Sequence, residues 1–318
     1  MYTAFYGLRA LPFELSPDPR YLYLTARHRE ALANLQYGIS ARKALTLLIG
    51  EAGTGKTTMV RAALESEACR SARMLYLNNP TLTRAEFLDF LAHGFGLTQA
   101  AAASKSALLR QLERELLDGR QRGLTTALII DEAQSLSYEL LEEIRLLANI
   151  ETSAEKLLPL VLVGQPELAD RLNEPSLRQL KQRVALRCTL EPLTLNETAA
   201  YIAGRIRHAG GEGAALFTRE AVRAIHECSR GVPRTISVIC DNALVTGFAL
   251  QQKPVGAQVV AEVCRDFDFI RAEGEEASLD ENPYFRRVVE GREVTEPAAD
   301  SANRMFATIG RRKWFSFF

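Results

Sequence analysis

Apolar residues are concentrated in five short runs, each short enough for a β-strand and separated from the next by longer polar or amphipathic stretches. The runs are Ala44–Ile49, Met74–Leu77, Ala127–Ile130, Leu160–Val163 and Leu186–Leu190. The middle runs lack apolar–polar alternation, which is typical of strands buried on both faces of a parallel sheet. Because helical stretches lie between the runs, the pattern predicts an α/β fold with right-handed crossovers.

Helical periodicity is clear before the first run and after the last one. Apolar residues recur at helical spacing over Arg27–Ile39, and a purely helical pattern begins at Thr194. The helices predicted in this second region cover 195–209, 219–229, 234–250 and 256–266. Two capping boxes, Thr83–Glu86 and Thr194–Glu197, indicate helix starts, because their hydroxyl and carboxylate groups reciprocally satisfy free backbone N–H groups.

These patterns divide the chain into four predicted parts. The parts are 1–43, an N-terminal segment and helix; 44–192, the α/β core; 193–269, a helical domain; and 270–318, an acidic linker with a basic, aromatic tail. The stretch Met1–Asp18, rich in aromatic residues and proline, is predicted to be irregular but packed. The last part lacks sustained periodicity and is predicted to be flexible.

Composition excludes several classes of protein. The chain has 318 residues, with 39 Lys and Arg against 39 Asp and Glu, so bulk electrostatic binding to nucleic acid has no support from net charge. No apolar run reaches the roughly 18 to 20 residues that span a bilayer, and Met1–Ala10 has no signal-peptide pattern. Five cysteines without a CxxC pair argue against a disulfide framework or zinc site and favour an intracellular location.

The strongest chemical signal follows the first predicted strand. Its residues, which match the pattern GxxxxGK[ST] and run one residue beyond it, are Gly50, Glu51, Ala52, Gly53, Thr54, Gly55, Lys56, Thr57 and Thr58. Glycines allow backbone N–H groups to wrap phosphates, and the start of the following helix adds positive potential. The motif therefore predicts an ATP site in which Lys56 reaches the β- and γ-phosphates and Thr57 binds Mg²⁺.

Two further strands are predicted to deliver polar residues to the same sheet edge. The run ending at Ile130 is followed by Asp131 and Glu132, and ligands of open α/β sheets bind at the carboxyl ends of the strands. We expect Asp131 to hold Mg²⁺ through water and Glu132 to orient and polarise the attacking water, the pair that phosphoryl transfer needs. Gln165, after the next run, is expected to contact the γ-phosphate or that water.

Two arginines are candidates for stabilising the charge of a transferring phosphoryl group. Arg183 precedes the fifth run and is predicted to act across a subunit interface, with Arg178 and Lys181 as alternatives in the same basic stretch. Arg234 follows Pro233 at a predicted helix start in the helical domain, from which it is expected to close that domain onto the γ-phosphate.

As a set, these motifs resemble the Walker A, Walker B, sensor 1, arginine finger and sensor 2 elements of an AAA+ P-loop ATPase. More narrowly, residues 2–268 resemble the ExeA/general secretion pathway protein A family. The additional residues that carry this resemblance are Phe5-Tyr-Gly-Leu8, Pro12-Phe13, Pro17-Asp-Pro19, Tyr21-Leu-Tyr23, His28 through Gly38, and Leu162-Val-Gly-Gln-Pro-Glu-Leu168. The family implies an N-terminal segment around the adenine, an ATPase core, a helical lid and ATP-driven oligomers that serve cell-envelope assembly.

The chain departs from the membrane-anchored members of that family. Those members typically continue into a transmembrane helix and a periplasmic peptidoglycan-binding domain, and we expect neither here, so the chain resembles the short, soluble relatives and a peptidoglycan role is not carried over. We expect a cytoplasmic protein that forms homo-oligomers such as hexamers. The basic and aromatic tail Arg311–Phe318 predicts peripheral contact with the inner membrane or with a partner groove.

The leading functional hypothesis is an ATP-hydrolysing protein that powers or switches assembly of an envelope system for secretion, pili or exopolysaccharide export. The alternative is a DNA-handling ATPase of the transposition or initiator type, because one fold serves both classes. A third hypothesis is a nucleotide-controlled scaffold with little turnover.

Overall fold

The computed structural model describes residues 2–15, 23–78, 80–98, 101, 104–212 and 216–269. Contacts divide the chain into two compact units, one within Pro17–Glu191 and the other combining Met1–Ser16 with Pro192–Phe318. The predicted flexible part 270–318, with its basic and aromatic tail, lies outside the described residues, as do Pro17-Asp-Pro19 and Tyr21-Leu22.

The first unit is built on a five-stranded parallel sheet. Its strands are β1 (Leu45–Gly50), β2 (Arg73–Leu77), β3 (Thr126–Ile130), β4 (Leu160–Gly164) and β5 (Val184–Leu190). The strand order is β2-β3-β4-β1-β5, and every neighbouring pair is parallel, which confirms the predicted parallel sheet. In the centre, Leu45 of β1 is in register with Leu160 of β4.

Helices cover both faces of this sheet. They are α2 (Ala26–Ser40), α3 (Lys56–Glu65), α4 (Arg84–Gly94), α5 (Lys105–Gln121), α6 (Tyr138–Leu147), α7 (Pro166–Leu172) and α8 (Arg178–Lys181), after a first helix, α1 (Tyr2–Tyr6), in the other unit. The capping box predicted at Thr83 and Glu86 is present at the start of α4. Thr25 caps α2 by accepting a hydrogen bond from the backbone N–H of His28.

Among the described residues of the first unit, the core has two apolar layers separated by the sheet. Leu128 and Ile130 of β3 belong to the layer that includes residues of α4, α5 and α6. Ala127 and Ile129 of the same strand belong to the other layer, with residues of α2 and α3. All six residues of β1 and all five of β4 are buried, because a central parallel strand is covered by helices on both faces. This explains the absence of alternation in the sequence.

The second unit is helical, as its sequence pattern predicts. After Pro192 it contains α9 (Leu195–His208), α10 (Arg219–Ser229), α11 (Pro233–Ala249) and α12 (Ala257–Asp266). The capping box at Thr194 and Glu197 is present at the start of α9.

The N-terminal segment packs within this helical unit and differs from its predicted irregular form. Residues Tyr2–Tyr6 form a short helix, since Tyr2 and Tyr6, four residues apart, lie on one buried face. The Tyr2 hydroxyl donates a hydrogen bond to Asp241 of α11, and the Tyr6 hydroxyl donates to the carbonyl oxygen of Gln252.

Buried Arg205 of α9 holds the following part of the segment. Its guanidinium donates hydrogen bonds to the carbonyl oxygens of Pro12 and Glu14, at 2.6 and 2.5 Å. Within the described ranges, no helix combines the length and apolarity that a membrane crossing requires.

Candidate functional site

The candidate site lies at the carboxyl edge of the sheet, where three neighbouring strands end. The strand order places β4 between β3 and β1. The loop after β1, the acidic pair after β3 and Gln165 after β4 therefore meet at one edge, since all three strands run parallel.

The loop after β1 has the backbone form that a phosphate cradle needs. Gly53 and Gly55 have positive φ angles of 82° and 96°, which glycine adopts without steric cost, and Gly55 is the residue at which α3 is capped. A side chain at Gly50 would lie 2.7 Å from Oγ1 of Thr54. Space beside Gly55 is open, since nothing lies within 4 Å of the position a Cβ would take.

Lys56 places a buried ammonium group inside this loop. Its Nζ donates hydrogen bonds to the carbonyl oxygens of Gly50 and Glu51, at 2.8 and 3.1 Å. Burial lowers the pKa of Lys56, and the nearby carboxylates of Glu132 and Asp131 oppose that shift. An ammonium has three donors, so one remains for an anion in the cradle.

Thr57 and Asp131 join the loop to the end of β3. The Thr57 hydroxyl donates a 2.8 Å hydrogen bond to Oδ2 of the buried Asp131. Tyr76 of β2 donates a second hydrogen bond to the same oxygen, at 2.6 Å. Burial, and next the hydrogen bond to Asp131, raise the pKa of Tyr76 well above its ordinary value. The phenol therefore stays protonated and donates. Sequence reasoning did not select Tyr76, and only its strand's position next to β3 indicates it.

Glu132 has a left-handed backbone conformation, with φ 53° and ψ 37°, which is uncommon outside glycine and occurs at functional sites. Its backbone N–H donates a 2.9 Å hydrogen bond to Oδ1 of Asp131. Its side chain is half-buried. The two adjacent carboxylates therefore have different partners. Asp131 accepts a hydrogen bond from Thr57, and Glu132 contacts Gln134 and Gln165 at the end of β4.

Gln134 and Gln165 contact Glu132 from two sides. Nε2 of Gln134 donates a 2.6 Å hydrogen bond to Oε2 of Glu132, and Nε2 of Gln165 makes a longer contact of 3.5 Å with the same oxygen. The backbone N–H of Gln165 donates to Oε1 of Gln134 at 3.1 Å. The sequence analysis assigned no role to Gln134, because its contact with Gln165 depends on the pairing of β3 with β4.

The hydrogen bonds described above do not include the predicted arginines. Arg183, Arg178 and Lys181 are exposed around α8 and the start of β5, and Lys181 donates a hydrogen bond to Asn173. Arg234 is exposed in the first turn of α11, in the helical unit. Their roles remain predictions.

The residues at the edge fit a nucleotide phosphate and Mg²⁺. The open glycine cradle and the buried ammonium of Lys56 suit a phosphate chain. Mg²⁺ takes oxygen ligands and is usually held by one or two carboxylates together with phosphates. Thr57 and Asp131 offer a hydroxyl oxygen and a carboxylate oxygen for this purpose. The described residues include no group of three or more His, Cys, Asp or Glu that could hold a metal ion by itself.

Comparison with known proteins agrees with this geometry. Residues 39–172 match the model of the AAA domain, a nucleotide-binding domain, and this range contains the cradle and the acidic pair. The part of the chain that carries the candidate site is therefore similar to AAA domains. The chain is also 39% identical over 274 residues to General secretion pathway protein A of Aeromonas hydrophila, a match that covers 86% of this chain. The chain spans about half of that relative, because the match covers 50% of it.

Solved structures share the AAA+ fold at low sequence identity. Drosophila ORC bound to DNA is 19% identical, with a TM-score of 0.60, over 94% of this chain and 82% of that one. The ORC2 protein of Aeropyrum pernix, in ADPNP–ADP complexes, is 16% identical, with a TM-score of 0.56, over 80% of this chain and 71% of that one. At these identities the likeness establishes the fold alone.

Proposed function

We propose that this AAA+ protein binds and hydrolyses ATP, and that the nucleotide cycle powers or switches assembly of a cell-envelope system. The observation that carries the hydrolysis proposal is the hydrogen bond from Thr57 to Asp131, with Lys56 and Glu132 at the same sheet edge. Phosphoryl transfer is catalysed mainly by positioning and charge stabilisation, and this edge offers a cation, a metal-side pair and a water-side carboxylate.

In the proposed reaction, Glu132 accepts a proton from the attacking water. The water oxygen forms a bond to the γ-phosphorus as the bond from that phosphorus to the bridging oxygen of the β-phosphate breaks, which yields ADP and phosphate. Lys56 and the backbone N–H groups of 50–58 hold the phosphates, and Gln165 helps to orient the water. Mg²⁺, held by Thr57 and Asp131, would neutralise phosphate charge.

Arg183 is proposed to complete the site of a neighbouring subunit in a homo-oligomer. Its exposure near the start of β5 supports this role, because a guanidinium that acts in trans must be available to another copy. Arg234 is proposed as the lid arginine. Arg183→Ala should lower turnover more than ATP affinity. If Arg178→Ala lowers turnover in this way and Arg183→Ala leaves it unchanged, the role belongs to Arg178.

The hydrolysis proposal is tested by phosphate release from the purified protein and its Glu132→Gln variant. We expect the variant to bind ATP with unchanged affinity and to lose at least about 100-fold in turnover, since it keeps the shape of Glu132 but not its basicity. Glu113→Gln, the same substitution at an exposed site on α5, should retain wild-type turnover. Equal hydrolysis in wild type and Glu132→Gln would exclude the role of Glu132.

The envelope role rests on the likeness to General secretion pathway protein A, a protein named for a secretion pathway. We place the protein on the cytoplasmic side of the inner membrane, and five free cysteines agree with a reducing compartment. Glu132→Gln should accumulate the ATP-bound oligomer, so cross-linking this variant in its host should capture defined envelope-assembly proteins. Recovery of DNA with salt-dependent affinity instead would support the DNA-handling alternative.

A further inference from the structure

We propose that Gln134 is a positioning residue, which holds Glu132 through a side-chain amide that bridges it to the end of β4. The inference rests on the proposed function, because it concerns the carboxylate assigned to the attacking water. Gln134 lies in the short 3-10 turn Ala133–Ser135, directly after the left-handed Glu132. Its amide lies between the Glu132 carboxylate and the backbone of Gln165.

The orientation of the Gln134 amide is determined by its two neighbours. The backbone N–H of Gln165 is a donor, so the group 3.1 Å from it must be the amide oxygen. The amide nitrogen must then face Glu132, where it donates the 2.6 Å hydrogen bond to Oε2. Reversing the amide would place two donors together and two acceptors together, so this bridge has a single satisfied arrangement.

The surroundings of Gln134 hold this bridge in place. Arg171 of α7 donates a 2.7 Å hydrogen bond to the carbonyl oxygen of Gln134, and the Arg171 guanidinium lies over the ring of Tyr138 at 4.8 Å. Gly164 leaves the necessary room, since a Cβ at this position would lie 3.0 Å from Oε1 of Gln134. The backbone and the side chain of Gln134 are therefore constrained separately.

The bridge leaves one oxygen of Glu132 available for chemistry. Oε2 accepts from Gln134 and has the longer contact with Gln165, whereas Oε1 accepts no hydrogen bond from any described residue. A carboxylate that takes a proton from water needs such an available oxygen at a defined position. Without the bridge, Glu132 would sample other rotamers, and a displacement of about 1 Å can lower a rate on the order of 100-fold.

Two variants separate the donor of Gln134 from its shape. Gln134→Met is nearly isosteric and removes both polar atoms. Gln134→Glu keeps an acceptor for Gln165 but replaces the donor to Glu132 with a second negative charge beside that carboxylate. We expect both variants to lower kcat by about tenfold or more while the affinity for ATP changes by less than about twofold. Gln121→Met, the same substitution at an exposed site at the end of α5, should keep wild-type kcat.

A double-mutant cycle distinguishes positioning from a structural role. If Gln134 acts through Glu132, then Gln134→Met should leave the residual turnover of Glu132→Gln unchanged. A wild-type kcat in Gln134→Glu, or a further tenfold loss when Gln134→Met is added to Glu132→Gln, would overturn the inference while the proposed function stands. Absence of hydrolysis by the wild-type protein would remove the proposed function itself.

Discussion

The Thr57 hydroxyl lies 2.8 Å from Oδ2 of Asp131, so the start of α3 and the end of β3 share one oxygen pair. Because this pair is proposed to hold Mg²⁺, Thr57→Val should remove the dependence of ATP affinity on Mg²⁺, a loss of about tenfold or more in the presence of the metal. Measurements of ATP affinity in Mg²⁺ and in EDTA give this dependence. Thr246→Val, in the helical unit, should keep full Mg²⁺ dependence; if Thr57→Val keeps it as well, Thr57 is not a ligand.

Lys56 should make the free energy of unfolding depend on pH in the alkaline range. Its pKa is lowered from 10.5 in the folded protein by burial, so between the lowered value and 10.5 the unfolded chain binds a proton that the folded chain does not. The free energy of unfolding contributed by Lys56 therefore rises with pH through this window, and its burial cost is fully present below it.

Urea unfolding of the nucleotide-free protein at a series of pH values checks this prediction. The difference between the wild type and Lys56→Met should shift in favour of the wild type as the pH increases toward 10.5. Lys56→Met should also abolish stabilisation by ATP, because it removes the buried cation of the cradle. A pH-independent difference between the two proteins would contradict the assigned burial effect.

Gly231 is expected to tolerate no side chain. It has a φ of 76°, and a Cβ there would lie 2.1 Å from the carbonyl oxygen of Leu193. The backbone N–H of Leu193 also donates a hydrogen bond to the Gly231 carbonyl oxygen, which holds the two segments together. Gly231→Ala should lower the free energy of unfolding by more than about 1 kcal/mol, in thermal or urea unfolding. Gly204→Ala, within α9 and with open space around it, should be neutral or stabilising, so equal effects at both positions would contradict this account.

Arg205 should be required for the N-terminal segment to stay packed in the helical unit. Arg205→Met leaves the carbonyl oxygens of Pro12 and Glu14 without their charged donor, which should cost about 2 kcal/mol or more. Limited proteolysis should then cut within 2–15 faster, alongside a lower melting temperature. Arg207→Met, at an exposed position of the same helix, serves as the control, and matching cleavage rates in both variants would refute the role of Arg205.

Local patterns were sufficient to predict most secondary structure. The predicted strand Leu160–Val163 is observed as Leu160–Gly164, and the predicted helix 219–229 is observed with the same bounds. Capping boxes and apolar periodicity act over a few residues, so they are visible without tertiary contacts. The helix Tyr2–Tyr6 was missed because its burial depends on residues such as Asp241, far away in the chain.

By itself, the sequence determined the phosphate-cradle motif, the acidic pair and the strands that present them, because each is encoded in adjacent residues. Only the tertiary structure decided which side chains complete the arrangement. Tyr76 contacts Asp131 because β2 pairs with β3, and Gln134 reaches Gln165 because β3 pairs with β4. Neither contact has a signature in sequence spacing, since the order of strands depends on how separate elements bury their apolar faces together.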